Sequence, residues 1–436
     1  MKKGVLSIMC AASILLSATA CGNNAENNNE PQVPEYTVAT EYNLNDYIKP
    51  LWEEDIITHE SIMFMDSDEY IYIEKDSDPN GLPKFNAKPV SSKKLLYPAD
   101  EIYSVYSYDM KTEYIKGRDW DIYDGKIVRY SDSEIPLMTE DFYYPETTEN
   151  GAFESDVAGH KYILFGESDT MTKWQVVVTY KHSGIWNGPM PTVQSEKIKS
   201  FIEKLEKGEE VTIVFYGDSI TTGANSSGPM GITPNAPSFA QMITDYIAEK
   251  YGYTVSKEAD PFNLNLTANP FGGEKVIHYI NTAVGGTTST WGREELEERV
   301  LKYEPDLMIL AFGMNEGGDS MEKFTGSISE LIGRVQAECP ETDTVVVSTM
   351  MPHFRVKGFY GKQEQQEDAL RTMIEENTLL NTSKIALAEV SSAHKFILEN
   401  KEYYDMTGNN VNHPNDFLAR IYAHVILTTM FGDYYN

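Results

Sequence analysis

Two kinds of hydrophobic patterning divide this chain. From about residue 41 to 191, apolar positions come in short runs such as Tyr70–Ile73, Ile102–Tyr106, Lys126–Arg129, Tyr162–Phe165 and Gln175–Tyr180, broken by Gly, Pro, Asp and Asn. Many short strands punctuated in this way predict an all-β sandwich or jelly-roll domain over 41–191. From about residue 192 the period changes. Val193, Ile198, Phe201, Ile202 and Leu205 recur on one side of a helix predicted over 193–207. Strand and helix signals then alternate to the end, with strands predicted over 211–216, 276–284, 307–312, 344–350 and 384–387 and helices over 238–250, 293–301, 323–337, 364–381, 392–398 and 417–430. Such alternation predicts a parallel sheet with helices on both faces, an α/β domain over 192–436.

The first residues follow neither pattern. Met1, Lys2 and Lys3 form a short basic start, and residues 5–20 are a mostly apolar run too short for a comfortable membrane span. Small residues then lead into Cys21 and Gly22, which resembles a bacterial lipobox, with Ala18 where leucine is usual. The expectation is a signal peptide over 1–20 and a lipidated Cys21. Residues 21–40, rich in Asn, Glu and Pro, read as a disordered tether. On this reading the protein is an extracytoplasmic, cell-surface lipoprotein, held to the bacterial membrane only through the lipid on Cys21.

Composition narrows the partners. The 436 residues carry a formal net charge of −31, from 36 basic and 67 acidic residues spread along the chain. No basic face could offset that field, so nucleic acid is excluded as a partner and docking on anionic lipid is disfavoured. Of three cysteines, Cys10 would leave with the signal and Cys21 would carry lipid, so Cys339 stands alone and no intrachain disulfide forms. There is no metal-binding Cys or His cluster and no phosphate-binding glycine pattern, so no metal or cofactor is expected. The G-x-S-x-G elbow is also missing.

Four polar spots remain, each at the end of a predicted strand or ahead of the last helix. Gly217, Asp218 and Ser219 follow the strand 211–216, where open α/β sheets bind their ligands. Gly285 and Gly286 follow the strand 276–284, and a glycine pair lets backbone N–H groups approach a ligand. Asn315 and Glu316 follow the strand 307–312, and the Asn amide could donate to a developing oxyanion. Asn410, His413 and Pro414 precede the last helix; the proline restricts His413 to extended backbone and so presents the imidazole from a loop.

In this order, the four spots resemble the SGNH (GDSL) hydrolase family over about residues 208–436, roughly half the chain. The resemblance implies a flavodoxin-like α/β/α sandwich and ester hydrolysis through an acyl-enzyme. It puts the nucleophile on Ser219 and the general base on His413. The oxyanion hole falls on the N–H groups of Ser219 and Gly286 and on the Asn315 side chain, with Gly285 an alternative to Gly286. The family's acid lies three residues before its histidine, and here that position is Asn410. An amide can orient an imidazole but cannot stabilise imidazolium as a carboxylate does, so a Ser–His dyad, a backbone carbonyl, Asp405 and Asp416 stay open beside Asn410. Glu316, where the family has Asp, is expected to be structural. SGNH enzymes with an appended β-domain are often carbohydrate esterases, so the expected substrate is a small acyl ester, acetyl foremost, on a polysaccharide or oligosaccharide. A lipase-like or peptidoglycan acyl hydrolase or transferase, and an inactive glycan-binding lipoprotein, are the alternatives.

Overall fold

Four of the six parallel strands are buried on nearly every residue, because helices cover both faces of the sheet they form. The computed structural model describes residues 36–68, 70–72, 89–149, 151–262 and 275–435; the expected signal segment, Cys21 and most of the tether lie outside them. The β-rich region contributes β1 (Ile56–Met63), β2 (Tyr70–Tyr72), β3 (Pro89–Lys93), β4 (Glu101–Ser107), β5 (Trp120–Tyr123), β6 (Lys126–Tyr130), β7 (Ala152–Glu154), β8 (Tyr162–Leu164) and β9 (Gln175–Lys181). They pair antiparallel in sheets ordered β1-β9-β4, β2-β3-β6-β5 and β7-β8. The α/β region contributes β10 (Val211–Gly217), β11 (Tyr253–Ala259), β12 (Lys275–Asn281), β13 (Leu307–Ala311), β14 (Asp343–Val347) and β15 (Ile385–Ala388). These form one parallel sheet ordered β11-β12-β10-β13-β14-β15. Without the edge strand β11, the order is the flavodoxin-like 2-1-3-4-5, whose switch point falls beside its first strand, here β10.

Alternate side chains of β10 enter two cores. Val214 and Tyr216 join Ile280, Leu310 and Leu331 under the helix Met321–Glu338. Ile213 and Phe215 join Tyr279, Ile243 and Phe417, and that same cluster takes in Ile57 and Ile62 of β1 and Val176 and Val178 of β9. The β-rich and α/β regions therefore share one core, and residues 38–436 form a single compact unit. The last helix, Asp416–Phe431, is buried over Asp416–Met430 because β1 and the first helical turns cover the face that the sheet leaves free. Within it Arg420 donates to the Thr58 carbonyl at 2.6 Å and His424 to the Tyr47 carbonyl at 2.7 Å. At the same junction Lys401 donates to Glu60 at 2.6 Å, with both side chains fully buried and Tyr180 also donating to Glu60.

Three local departures from the sequence expectations have physical causes. β11 was not foreseen, because its residues are mostly half-buried and include Lys257 and Glu258, as suits a sheet edge. The helix expected over 364–381 ends at Glu376, because the Asn377 side chain accepts the N–H groups of Leu379 and Leu380 and draws the chain into a turn. The helix expected over 293–301 is two short pieces, Ser289–Glu294 and Leu296–Arg299. Two tryptophans of the β-rich side serve packing: Trp120 is buried and donates to the Tyr114 carbonyl, while Trp186 packs on Trp52 and Phe396.

Candidate active site

β10 ends where only glycine fits. A Cβ on Gly217 would lie 2.4 Å from the Ala311 carbonyl oxygen of β13 and 2.3 Å from the Thr221 hydroxyl. Asp218 then caps the short helix Ser219–Thr222, its carboxylate accepting the Ile220 N–H at 3.0 Å. Burial pushes the Asp218 carboxyl up to about 7, against the opposing pull of the Ile220 N–H, His413 and the Met314 N–H. Ser219 is thereby held at the first turn, mostly buried.

His413 comes from a loop tied to itself. The Asn409 side-chain oxygen accepts three backbone N–H groups, those of Val411, Asn412 and His413, each at 3.0 Å. The His413 carbonyl accepts from the Gly408 N–H and the Thr407 hydroxyl. Asn415 then caps the last helix. So placed, His413 Nε2 lies 2.8 Å from Ser219 Oγ. On the other side of the ring, Nδ1 lies 2.7 Å from Asn225 Oδ1 and 3.2 Å from Glu167 Oε2. Asn225 presents its oxygen because its amide nitrogen donates to the Ser168 carbonyl. Both Nδ1 partners are acceptors, so Nδ1 carries the proton and Nε2 is free to accept from the serine hydroxyl.

Asn410 does not orient His413. Its side-chain oxygen accepts from the Tyr143 hydroxyl at 3.0 Å and its nitrogen donates to the Leu164 carbonyl at 2.8 Å. The side chain is fully buried, and both bonds tie this loop to the β-rich region. Asp405 and Asp416 are engaged elsewhere, with the N–H groups of Met63 and Ser227 respectively. His353 is buried against Tyr143, and burial followed by the nearby Arg355 pushes it down to about 3. The partners that do reach Nδ1, Asn225 and Glu167, carried no signal in the sequence: each lies in a loop outside the four polar spots.

The second and third spots close over Ser219 from the neighbouring strands. The loop after β12 is bound to β10 by the Thr282 and Val284 N–H groups, which donate to the Phe215 and Gly217 carbonyls. Gly285 passes so near that a Cβ there would touch Ser219 Cβ at 3.5 Å, and Gly286 follows with φ 75°. The Asn315 amide donates to the Thr287 carbonyl at 3.0 Å, which leaves its second N–H without a partner among the described residues. Glu316 accepts the Ser289 N–H at 2.6 Å, a structural tie between the two loops. Gln363 and Gln366 brace the third spot from behind by donating to the Met314 and Gly313 carbonyls. Among the described residues, no group of three or more His, Cys, Asp or Glu side chains is disposed to hold a metal ion.

Residues 213–422 match the family model described as GDSL-like Lipase/Acylhydrolase. No curated protein matches the chain. Among solved structures, the chain is similar to a two-domain esterase active on acetylated mannans, co-crystallised with mannopentaose, at 21% identity over 56% of this chain and 55% of that one, TM-score 0.40. It is also similar to an acetylxylan esterase from Geobacillus stearothermophilus, at 14% identity over 52% of this chain and 97% of that one, TM-score 0.38. A third is an α/β hydrolase from the metagenome of Lake Arreo, Spain, at 14% identity over 51% and 96% of the two chains, TM-score 0.38. The match spans about half the length of the mannan esterase.

Proposed function

With residues 213–422 a GDSL/SGNH hydrolase domain, we propose that the protein is a serine esterase that removes small acyl groups, acetyl foremost, from a carbohydrate. The observation that carries the reading is the 2.8 Å contact between Ser219 Oγ and a His413 ring whose proton is held on Nδ1. In that state Nε2 takes the hydroxyl proton as Ser219 Oγ attacks the ester carbonyl. The Ser219 and Gly286 N–H groups and the free Asn315 N–H supply donors for the oxyanion, each worth about 3–4 kcal/mol when removed. His413 then returns the proton to the departing sugar oxygen, leaving an acyl-enzyme. A water molecule, deprotonated by the same nitrogen, releases the acid and restores Ser219. Asp218 serves beneath this chemistry as the cap of the serine's helical turn.

The carbohydrate part of the reading is supported by the β-rich region that shares the hydrolase core, and by the extracytoplasmic, lipid-tethered location proposed from Cys21 and the residues before it. Hydrolysis of p-nitrophenyl acetate, butyrate and longer esters, set beside acetate release from a panel of acetylated polysaccharides, tests it. Preference for acetyl and release from a glycan are expected; preference for long acyl chains would favour a lipase-like enzyme instead.

A further inference from the structure

We propose that Glu167, in the loop after β8, supplies the carboxylate of the catalytic relay and acts with Asn225 as a positioning pair for His413. The active site is then assembled from both regions of the chain. This rests on the Ser219–His413 reading above.

Three observations carry it. First, Glu167 Oε2 stands 3.2 Å from His413 Nδ1, on the side of the ring opposite Ser219. Second, the turn that presents Glu167 is tied to the site on either side of it. The Gly166 N–H donates to the Asn409 carbonyl at 3.4 Å, Asn225 donates to the Ser168 carbonyl at 3.2 Å, and the Asn409 amide donates to Glu167 Oε1 at 3.3 Å. Third, the residue at the family's acid position is spent on the same segment: Asn410 donates to the carbonyl of Leu164, the last residue of β8. Asn410 thus helps anchor the strand whose continuation delivers a carboxylate three residues later. The division of labour follows from distance and exposure. Asn225 is buried and nearer, so it fixes the ring and its tautomer; Glu167 is half exposed and adds the negative charge that favours imidazolium in the transition state. Burial acts to raise the Glu167 carboxyl, but the hydrogen bonds and charge of His413, with Asn409 and Asn225, outweigh it and hold the group below the usual carboxylate range.

Glu167→Gln keeps the shape and removes the charge. Solvent screens this half-exposed carboxylate, so the loss is smaller than for a buried triad acid. The expected fall in kcat on p-nitrophenyl acetate is about 10- to 100-fold, with KM nearly unchanged. Among the described residues, the ionisable groups that act on the His413 ring are Glu167 and buried Asp218, and Asp218 is retained. The acid limb of the kcat/KM–pH profile therefore moves to lower pH in the variant, because imidazolium loses its partner. Glu167→Asp should recover part of the rate and of the limb position. Wild-type kcat with an unmoved limb in Glu167→Gln, beside an inactive Ser219→Ala, would overturn the role of Glu167 and leave the serine mechanism standing. A lowered kcat with an unmoved limb would also overturn it, since only a structural effect would remain. Activity retained in Ser219→Ala would instead overturn the reading on which the proposal rests.

Discussion

Asn409 organises the histidine loop through one oxygen, so its removal should be felt in both folding and turnover. In Asn409→Ala, the N–H groups of Val411, Asn412 and His413 lose their shared acceptor. The Val411 and His413 bonds are buried and the Asn412 bond is partly exposed, so water can satisfy only the last. A buried donor left unpaired costs about 1–3 kcal/mol, which puts the loss at about 2–6 kcal/mol from the two buried groups. The His413 ring also loses its anchored backbone, and a displacement of about 1 Å can cost on the order of 100-fold in rate. Asn409→Asp separates the two effects. It keeps the acceptor, and with it most of the stability, but sets a carboxylate against Glu167 in place of the amide that donates to it at 3.3 Å. Urea titrations and p-nitrophenyl acetate turnover of the two variants measure the effects. An Asn409→Ala protein with wild-type midpoint and rate would refute this account of the loop.

Lys401→Met should destabilise by about 3–5 kcal/mol in urea, because it strands the buried Glu60 carboxylate. Glu60→Gln combined with Lys401→Met should recover most of that loss; equal losses in the single and double variants would contradict it. Asn410→Asp, which would be neutral or activating if the site merely lacked its carboxylate, should instead cost about 1–3 kcal/mol without raising the rate, since it points an oxygen at the Leu164 carbonyl. Stability should also fall as pH rises from about 6.5 to 8. Burial pushes the carboxyls of Glu54, Asp218 and Asp245 up to about 8, about 7 and about 7. In that window the folded chain holds protons on these groups that the unfolded chain has released, so their stabilisation, full at low pH, is lost as pH passes through the raised values. His59, His353, His394 and His424, pushed down to about 3 by burial, are neutral in the folded chain there, while the unfolded histidines, ordinary near about 6.5, shed their remaining protons at the low end of the range and oppose the fall, so it is clearest toward about pH 8. Thermal midpoints across that range check the direction.

The residues visible in the sequence as chemistry are those that end buried strands. β10 and β13 are nearly continuous apolar runs because the sheet is covered on both faces, so Ser219 and Asn315 stand out as polar breaks beyond their ends, whereas β12 mixes Lys275, His278 and Asn281 with its apolar residues and Gly286 stands out as half of a glycine pair. His413 stands out because a proline follows it in an Asn-rich loop ahead of a long apolar helix. Glu167 and Asn225 could not be found in this way. They reach His413 across 246 and 188 residues of chain, and neither has a periodic or motif context. Asn410 was visible as a residue but not in its use, because Tyr143 and Leu164, which hold it, belong to the β-rich region.

The central claim is that Ser219 becomes acylated with His413 as its base. Incubation of the protein with a fluorophosphonate, followed by peptide mass spectrometry, tests it most directly. The expected result is one covalent adduct on Ser219, absent in Ser219→Ala and formed far more slowly in His413→Ala, with loss of p-nitrophenyl acetate hydrolysis in step with labelling. An unlabelled Ser219 in protein that still hydrolyses the ester, or equal labelling in His413→Ala, would contradict it.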